Sequence, residues 1–240
     1  MAEFWTRYRR NRAAVLGLGI LFTILCMAAT AHLFYPEDPF RLVGRPLSGP
    51  LENGFLLGSD SLGRDVASGI VHGAKTSLLI GLIATLVSIF IGIFFGAFSG
   101  YFGGRVDDLL MRVTEIFQTI PSFIFAILLV AIMKPSIFSI VIAIAVVSWP
   151  GVARLVRGEF LSLKNREFVQ ACHTIGMSDL RVMLREILPN CLSPIIVIGS
   201  LMVATAILIE SGLAFLGLGD PNIMSWGFQI GAGRHNKYGK

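Results

Sequence analysis

Charge is what this sequence has least of. Only 15% of its 240 residues are Asp, Glu, Lys or Arg, where soluble domains carry about 25%. So little charge cannot cover a globular surface, and it excludes a disordered chain as well. Cysteine is equally scarce. Cys26 lies in an apolar run, while Cys172 and Cys191 flank a polar segment without any CxxC pairing, so no disulfide framework is legible. His32, His72, His173 and His235 are scattered, with none at metal-ligand spacing to another or to a cysteine. No metal site and no cofactor are expected.

Catalytic motifs are missing too. Gly69-x3-Gly73-Ala74-Lys75-Thr76 has glycines ahead of a lysine, but the Gly-Lys pair is interrupted and the spacing is wrong for a P-loop. There is no HExxH and no Gly-x-Ser-x-Gly, which leaves hydrolysis without candidate residues. The chain reads as a non-enzyme. Its net charge of +5 is not gathered into a basic stripe with interleaved aromatics, so nucleic acid is no partner.

What remains is apolar. Hydrophobic residues make up 54% of the chain, mean hydropathy is +0.74, and there are 26 glycines. A transmembrane helix needs about 20 mostly apolar residues. Charge-free gaps of that order fall at 13–34, 76–104, 116–133, 135–153 and 187–209, which predicts five spans. The first is too long for a signal peptide, whose apolar region has about 7–15 residues. After Glu210 the uncharged stretches 211–219 and 221–233 are too short and glycine-rich to span.

Orientation follows from Lys and Arg beside the spans. Arg7, Arg9, Arg10 and Arg12 place the N-terminus inside, and helices alternate from there. The segment between spans four and five then falls inside with Arg154, Arg157, Lys164, Arg166, Arg181 and Arg185. Residues 35–76 read as an irregular outer loop, with an amphipathic surface helix from Arg64 to Lys75. Lys134-Pro135-Ser136 reads as a tight hairpin.

The polar segment 154–187 is the place to look for function. Apolar residues at 161, 168, 171, 172 and 175 recur at helical spacing, and Gly176 suits the position just past a helix end. Ser178 and Asp179 would cap a second short helix, 179–187, which Pro189 ends or bends. Two short helices joined at a glycine predict a compact knob; a solvated linker with an interfacial helix fits the same pattern. Gly92, Gly96 and Gly100 share one face of the second span and predict close helix packing. Pro121 and Trp149-Pro150 would kink or break spans three and four. Glu210 ends the fifth span, where it could serve a path or gate, or cap the turn that follows.

Gln170-Ala171-Cys172-x3-Gly176, followed by Leu188-Pro189, resembles the EAA loop of ABC importer permeases. Gln170 and Cys172 stand where that family has Glu and Ala. The segments Gly58–Asp65, Gly73–Leu78, Gly100–Asp107, Arg166–Val169, Ile187–Asn190, Phe215–Gly219 and Ser225–Gly227 are similar to the dipeptide/oligopeptide permease subfamily. So is the Tyr8–Arg12 tail. The resemblance covers nearly the whole chain. It implies an all-α type I importer permease of the second-permease type, multi-pass in the bacterial inner membrane. Residues 1–76 would be tail, first helix and outer loop; 77–240 would be the permease core, with coupling loop 154–187. The implied coupling residues are Arg157, Glu159, Arg166, Glu167, Gln170, Ala171, Gly176, Leu188 and Pro189. The implied partners are a second permease, two ATP-binding subunits that hydrolyse ATP, an extracytoplasmic substrate-binding protein and membrane lipid. The family normally has six helices, so C-terminal truncation is the expectation here. The implied cargo is a di- or oligopeptide. Alternatives are a nickel or glutathione importer of the same family, or a secondary transporter or channel.

Overall fold

The computed structural model describes residues 8–52 and 54–234. Arg7 and His235, both used above, lie outside the described residues. Helix α1 (Arg12–Ala29) opens at Asn11, whose side chain accepts the Ala14 N–H at 3.2 Å. After the single turn α2 (Ala31–Phe34) the chain runs irregularly to residue 65, with one isolated bridge between Ser59 and Asp65. There follow α3 (Val66–Phe102), α4 (Gly104–Thr119), α5 (Ser122–Met133), α6 (Ile137–Leu163), α7 (Glu167–Thr174), α8 (Asp179–Leu218) and α9 (Trp226–Arg234). The described residues contain no strand.

Helices α1, α3, α6 and α8 are long and apolar enough to cross a bilayer, and the pair α4–α5 makes a fifth if its two bent parts form one span. That pair turns by 82°. Ile120, preceding Pro121, is extended at φ −93°, ψ 132°, because the proline ring crowds helical geometry in the residue before it. The apolar stretch 116–133 is therefore not one straight helix. Its α5 part, 12 residues long, reaches only about 18 Å at 1.5 Å per residue.

Three other expectations are corrected, the two on prolines only as regards a break in the helix. The surface helix at 64–75 is not separate: residues from Val66 onward form one 37-residue helix with the second span, since nothing between them breaks the backbone ladder. Pro150 does not break α6, which runs unbroken past it. Its missing N–H costs one bond, and the packing around buried Trp149 and Val152 holds the helix together. Nor does Pro189 end the helix begun at Asp179. Leu188 N–H reaches the Met183 carbonyl, five residues back, and this wider turn lets the proline sit in a helix that continues to Leu218. The hairpin at 134–136 stands, with Ser136 capping α6 through the Ser139 N–H.

The chain divides into two compact units, 1–78 with 221–240, and 79–220. In the first, Trp226 anchors α9: its indole N–H donates to the Ile70 carbonyl at 2.9 Å and its backbone N–H to Ser77 Oγ at 3.1 Å. Arg64 lies over the rings of Phe40 and Phe228. A Cβ at Gly73 would stand 3.0 Å from the Ser225–Trp226 backbone, so this glycine serves close packing.

In the second unit α6 is the central helix. Its buried face holds Ile140, Ile144, Trp149, Val152, Val156 and Phe160. Lipid offers no hydrophobic drive for helices to associate, so close contact between small residues has to hold them together. Gly92, Gly96 and Gly100 of α3 supply it. A Cβ at Gly100 would stand 2.6 Å from Phe160 Cβ; at Gly92 it would meet Val152, and at Gly96 the Ala153 carbonyl. Ser88 Oγ adds a contact at 3.4 Å to the Ala145 carbonyl.

Candidate functional site

The segment after α6 folds back on its own helices. Lys164, Asn165 and Arg166 interrupt the helical spacing read from 161 to 175, and α7 starts afresh with Arg166 extended at φ −71°, ψ 150°. The Arg166 carbonyl accepts the N–H groups of Val169 and Gln170. Glu167 occupies the first turn, where a negative charge suits the helix dipole. At the other end Met177 N–H donates to the Cys172 carbonyl and Gly176 N–H to that of His173, both at 3.0 Å. That is the Schellman pattern, which requires a left-handed residue; Gly176 supplies it at φ +77°.

Packing decides which face of this knob looks outward. Val169 is fully buried, and Cys172 and Met177 pack with it against Val156, Phe160, Val182 and Met183. Phe168, Ile175, Leu180 and Leu184 are exposed, Ile175 to 76%. The stripe read from spacing is thus split: Cys172 faces inward, whereas Phe168, Ala171 and Ile175 face out. The break at 164–166 resets the helical phase.

Tyr101, at the end of α3, pins the knob. Its hydroxyl donates to Asp179 Oδ1 at 2.7 Å and lies 3.4 Å from His173 Nε2. Its carbonyl accepts from Lys164 Nζ at 3.4 Å. Sequence reading passed over this residue, although the Gly100–Asp107 segment contains it.

The residues read as a coupling loop do not all gather there. Arg166, Glu167, Gln170, Ala171 and Gly176 lie exposed on the knob, with Gln170 Nε2 donating to the Asn165 carbonyl at 3.2 Å. Arg157 and Glu159 belong to α6. Arg157 turns to α4, where its guanidinium grips both carboxylate oxygens of Asp107 at 2.5 Å. That hydrogen-bonded cation holds the Asp107 carboxyl below the usual carboxylate range, partly offset by burial. Leu188 packs against the knob-side core, and Pro189 is exposed near the start of the apolar part of α8. Glu210 stands apart, 1% exposed, near the other buried cluster that includes Ala206 and Leu213. Among the described residues no His, Cys, Asp or Glu group could hold a metal ion.

Residues 89–232 match the family described as binding-protein-dependent transport system inner membrane component. The chain belongs to this family. It is thus a multi-pass membrane component of such a transport system. Residues 1–47 match a second description, the N-terminal TM domain of oligopeptide transport permease C. Relatives agree over most of their length. The chain is 39% identical to the di/tripeptide transport system permease protein DppC of Pseudomonas aeruginosa, covering 98% of this chain and 80% of that one. It is 42% identical to the oligopeptide transport system permease protein OppC of Escherichia coli K12, covering 96% and 77%. The fold resembles a chain of the inward-facing MetNI methionine ABC transporter, with a TM-score of 0.55 at 16% identity, over 63% of this chain and 76% of that one.

Proposed function

We propose that the chain is one permease of an ATP-driven importer of di- and oligopeptides in the bacterial inner membrane, with its N-terminus in the cytoplasm. The observation that carries this is the 37–42% identity to dipeptide and oligopeptide permeases across nearly the whole chain. A second permease completes the path, two ATP-binding subunits hydrolyse ATP, and a substrate-binding protein delivers peptide from outside. The exposed knob is where an ATP-binding subunit docks. Phe168, Ile175, Leu180 and Leu184 offer it apolar surface outside the bundle, rimmed by Arg166, Glu167 and Gln170. Closure of the ATPase pair then moves the knob, and the knob moves α6 and α8, because Val169 and Val182 are locked into their core. Glu210, buried in the described chain, holds the end of α8 rather than lining a path.

The test is reconstitution. The chain, expressed with the transporter subunits encoded beside it, should co-purify with an ATP-binding subunit and drive ATP-dependent uptake of radiolabelled dialanine into vesicles. Uptake without ATP, or no association with any ATP-binding subunit, would overturn the reading.

A further inference from the structure

Between α4 and α6 lies a cleft of about 370 Å³. Six charged side chains line it: Asp107, Asp108, Arg112 and Glu115 from α4, Arg154 and Arg157 from α6. Asp107 and Arg157 satisfy each other. The other four form no ion pair among the described residues, although Asp108 and Arg112 stand one turn apart on one helix. Two carboxylates and two guanidiniums, all exposed, therefore line one cleft without a salt bridge among the four, Asp108 lying close enough to act on the Arg157 guanidinium. One turn further along both helices, Phe117 meets Trp149 at 5.3 Å, edge to face.

A ligand of one sign would be repelled by half of this lining. A zwitterion suits all of it, with an ammonium for the carboxylates and a carboxylate for the guanidiniums, which recognise that group with two parallel hydrogen bonds. Near pH 7 every free peptide carries those two charges at its ends, because the α-carboxyl ionises near 3.5 and the α-amino group near 8. The termini are also the only charges that all peptides share, so a cleft that reads them is blind to side chains.

We propose that this cleft binds the free termini of peptide cargo at the exit of the path, the carboxylate on Arg112 and Arg154 and the ammonium on Asp108 and Glu115. The proposal rests on the peptide-importer reading and adds where in this chain the cargo is held. The cleft lies toward the end of α6 that leads into the knob, the end that the proposed orientation puts on the cytoplasmic side.

The experiment uses the assembled transporter without nucleotide and without binding protein, in nanodiscs free of phosphatidylethanolamine. Binding of dialanine, N-acetyl-dialanine and dialanine amide is titrated by saturation-transfer NMR. Dialanine should bind about tenfold tighter than either blocked form, the size of one charge-assisted hydrogen bond. Glu115→Gln should lose the preference for a free amino group and keep that for a free carboxylate; Arg154→Gln should do the reverse. Equal binding of all three ligands, or variants that discriminate as the unaltered chain does, would overturn the proposal. So would retention of native phosphatidylethanolamine by the unaltered chain but not by Arg154→Gln with no peptide signal, which would assign the cleft to a lipid headgroup. Dialanine uptake by vesicles is measured alongside. Uptake with no discrimination in the cleft removes this proposal alone, whereas absence of any peptide uptake removes the importer reading with it.

Discussion

Arg157 and Asp107 meet across α6 and α4 in a two-point ion pair, Nε on one carboxylate oxygen and Nη2 on the other, each at 2.5 Å. The Ser99 hydroxyl also donates to this carboxylate, so it ties α3 to the same point. Asp107 precedes the apolar stretch 116–133, and the pair anchors the first turn of α4, just past the end of α3.

This pair gives stability a pH dependence. Asp107 titrates below its usual range when folded, so its contribution is full above the unfolded value near 3.9 and is lost as pH falls through the folded value. Asp107→Asn should lower the melting temperature of the purified protein at pH 7. The gap between variant and unaltered protein should narrow as pH is lowered toward 3.5. A gap that widens on acidification would contradict the assignment.

Gly176→Val isolates backbone strain. No atom lies within 4 Å of where its Cβ would stand, so the cost comes only from forcing a β-branched residue to φ +77°, on the order of 1–3 kcal/mol. The variant should reach the membrane at normal levels. It should then lose the ATP-binding subunit on purification, at about one decade of affinity per 1.4 kcal/mol. Gln170→Glu should retain or tighten the complex. Undiminished retention and uptake in Gly176→Val would remove the coupling role from the knob.

Gly96 and Gly158 should part company. A side chain at Gly96 would run into the Ala153 carbonyl and Val156, and overpacking of this kind costs about 1–3 kcal/mol. Gly158 has nothing within 4 Å of its Cβ position, so Gly158→Ala should be neutral or stabilising by up to about 1 kcal/mol through helix propensity. Thermal melts of Gly96→Val and Gly158→Ala check the contrast; equal effects would refute close packing at Gly96.

Topology can be read by labelling. With Cys26, Cys172 and Cys191 replaced, a membrane-impermeant thiol reagent applied to intact cells should modify Arg45→Cys but not Arg166→Cys. Both positions are exposed on the chain itself, so failure at 166 would not report burial within the chain. Labelling at 166 would reverse the proposed orientation.

Glu210→Gln keeps the shape and hydrogen-bonding reach of a buried group, whereas Glu210→Ala removes the acceptor of the Ser211 hydroxyl, at a cost of about 1–3 kcal/mol. If Glu210 holds the helix end, uptake should survive the first change, and the melting temperature should fall with the second. Loss of uptake in Glu210→Gln at normal stability would instead place the carboxylate in the path.

The sequence by itself determined the membrane class and the position of four of the five spans; the third, 116–133, is divided by the bend at Ile120–Pro121. Charge cannot lie cheaply in hydrocarbon, so charge-free gaps mark the helices whatever they pack against. It also determined the left-handed turn at Gly176, the hairpin at 134–136 and the glycine face at 92, 96 and 100, because local backbone geometry and helical spacing govern each of them. Tertiary structure decided what depends on partners distant in sequence. That Pro121 interrupts a helix while Pro150 sits inside a continuous one is likewise a property of the fold, with Trp149 and Val152 buried beside Pro150. Which side of α7 faces outward was settled by Val169 entering a core built from α6 and α8. Arg157 left the knob for Asp107, 50 residues away, and no periodicity in the chain records that choice. Spacing places residues on faces of their own helix; only the fold says which face meets which neighbour.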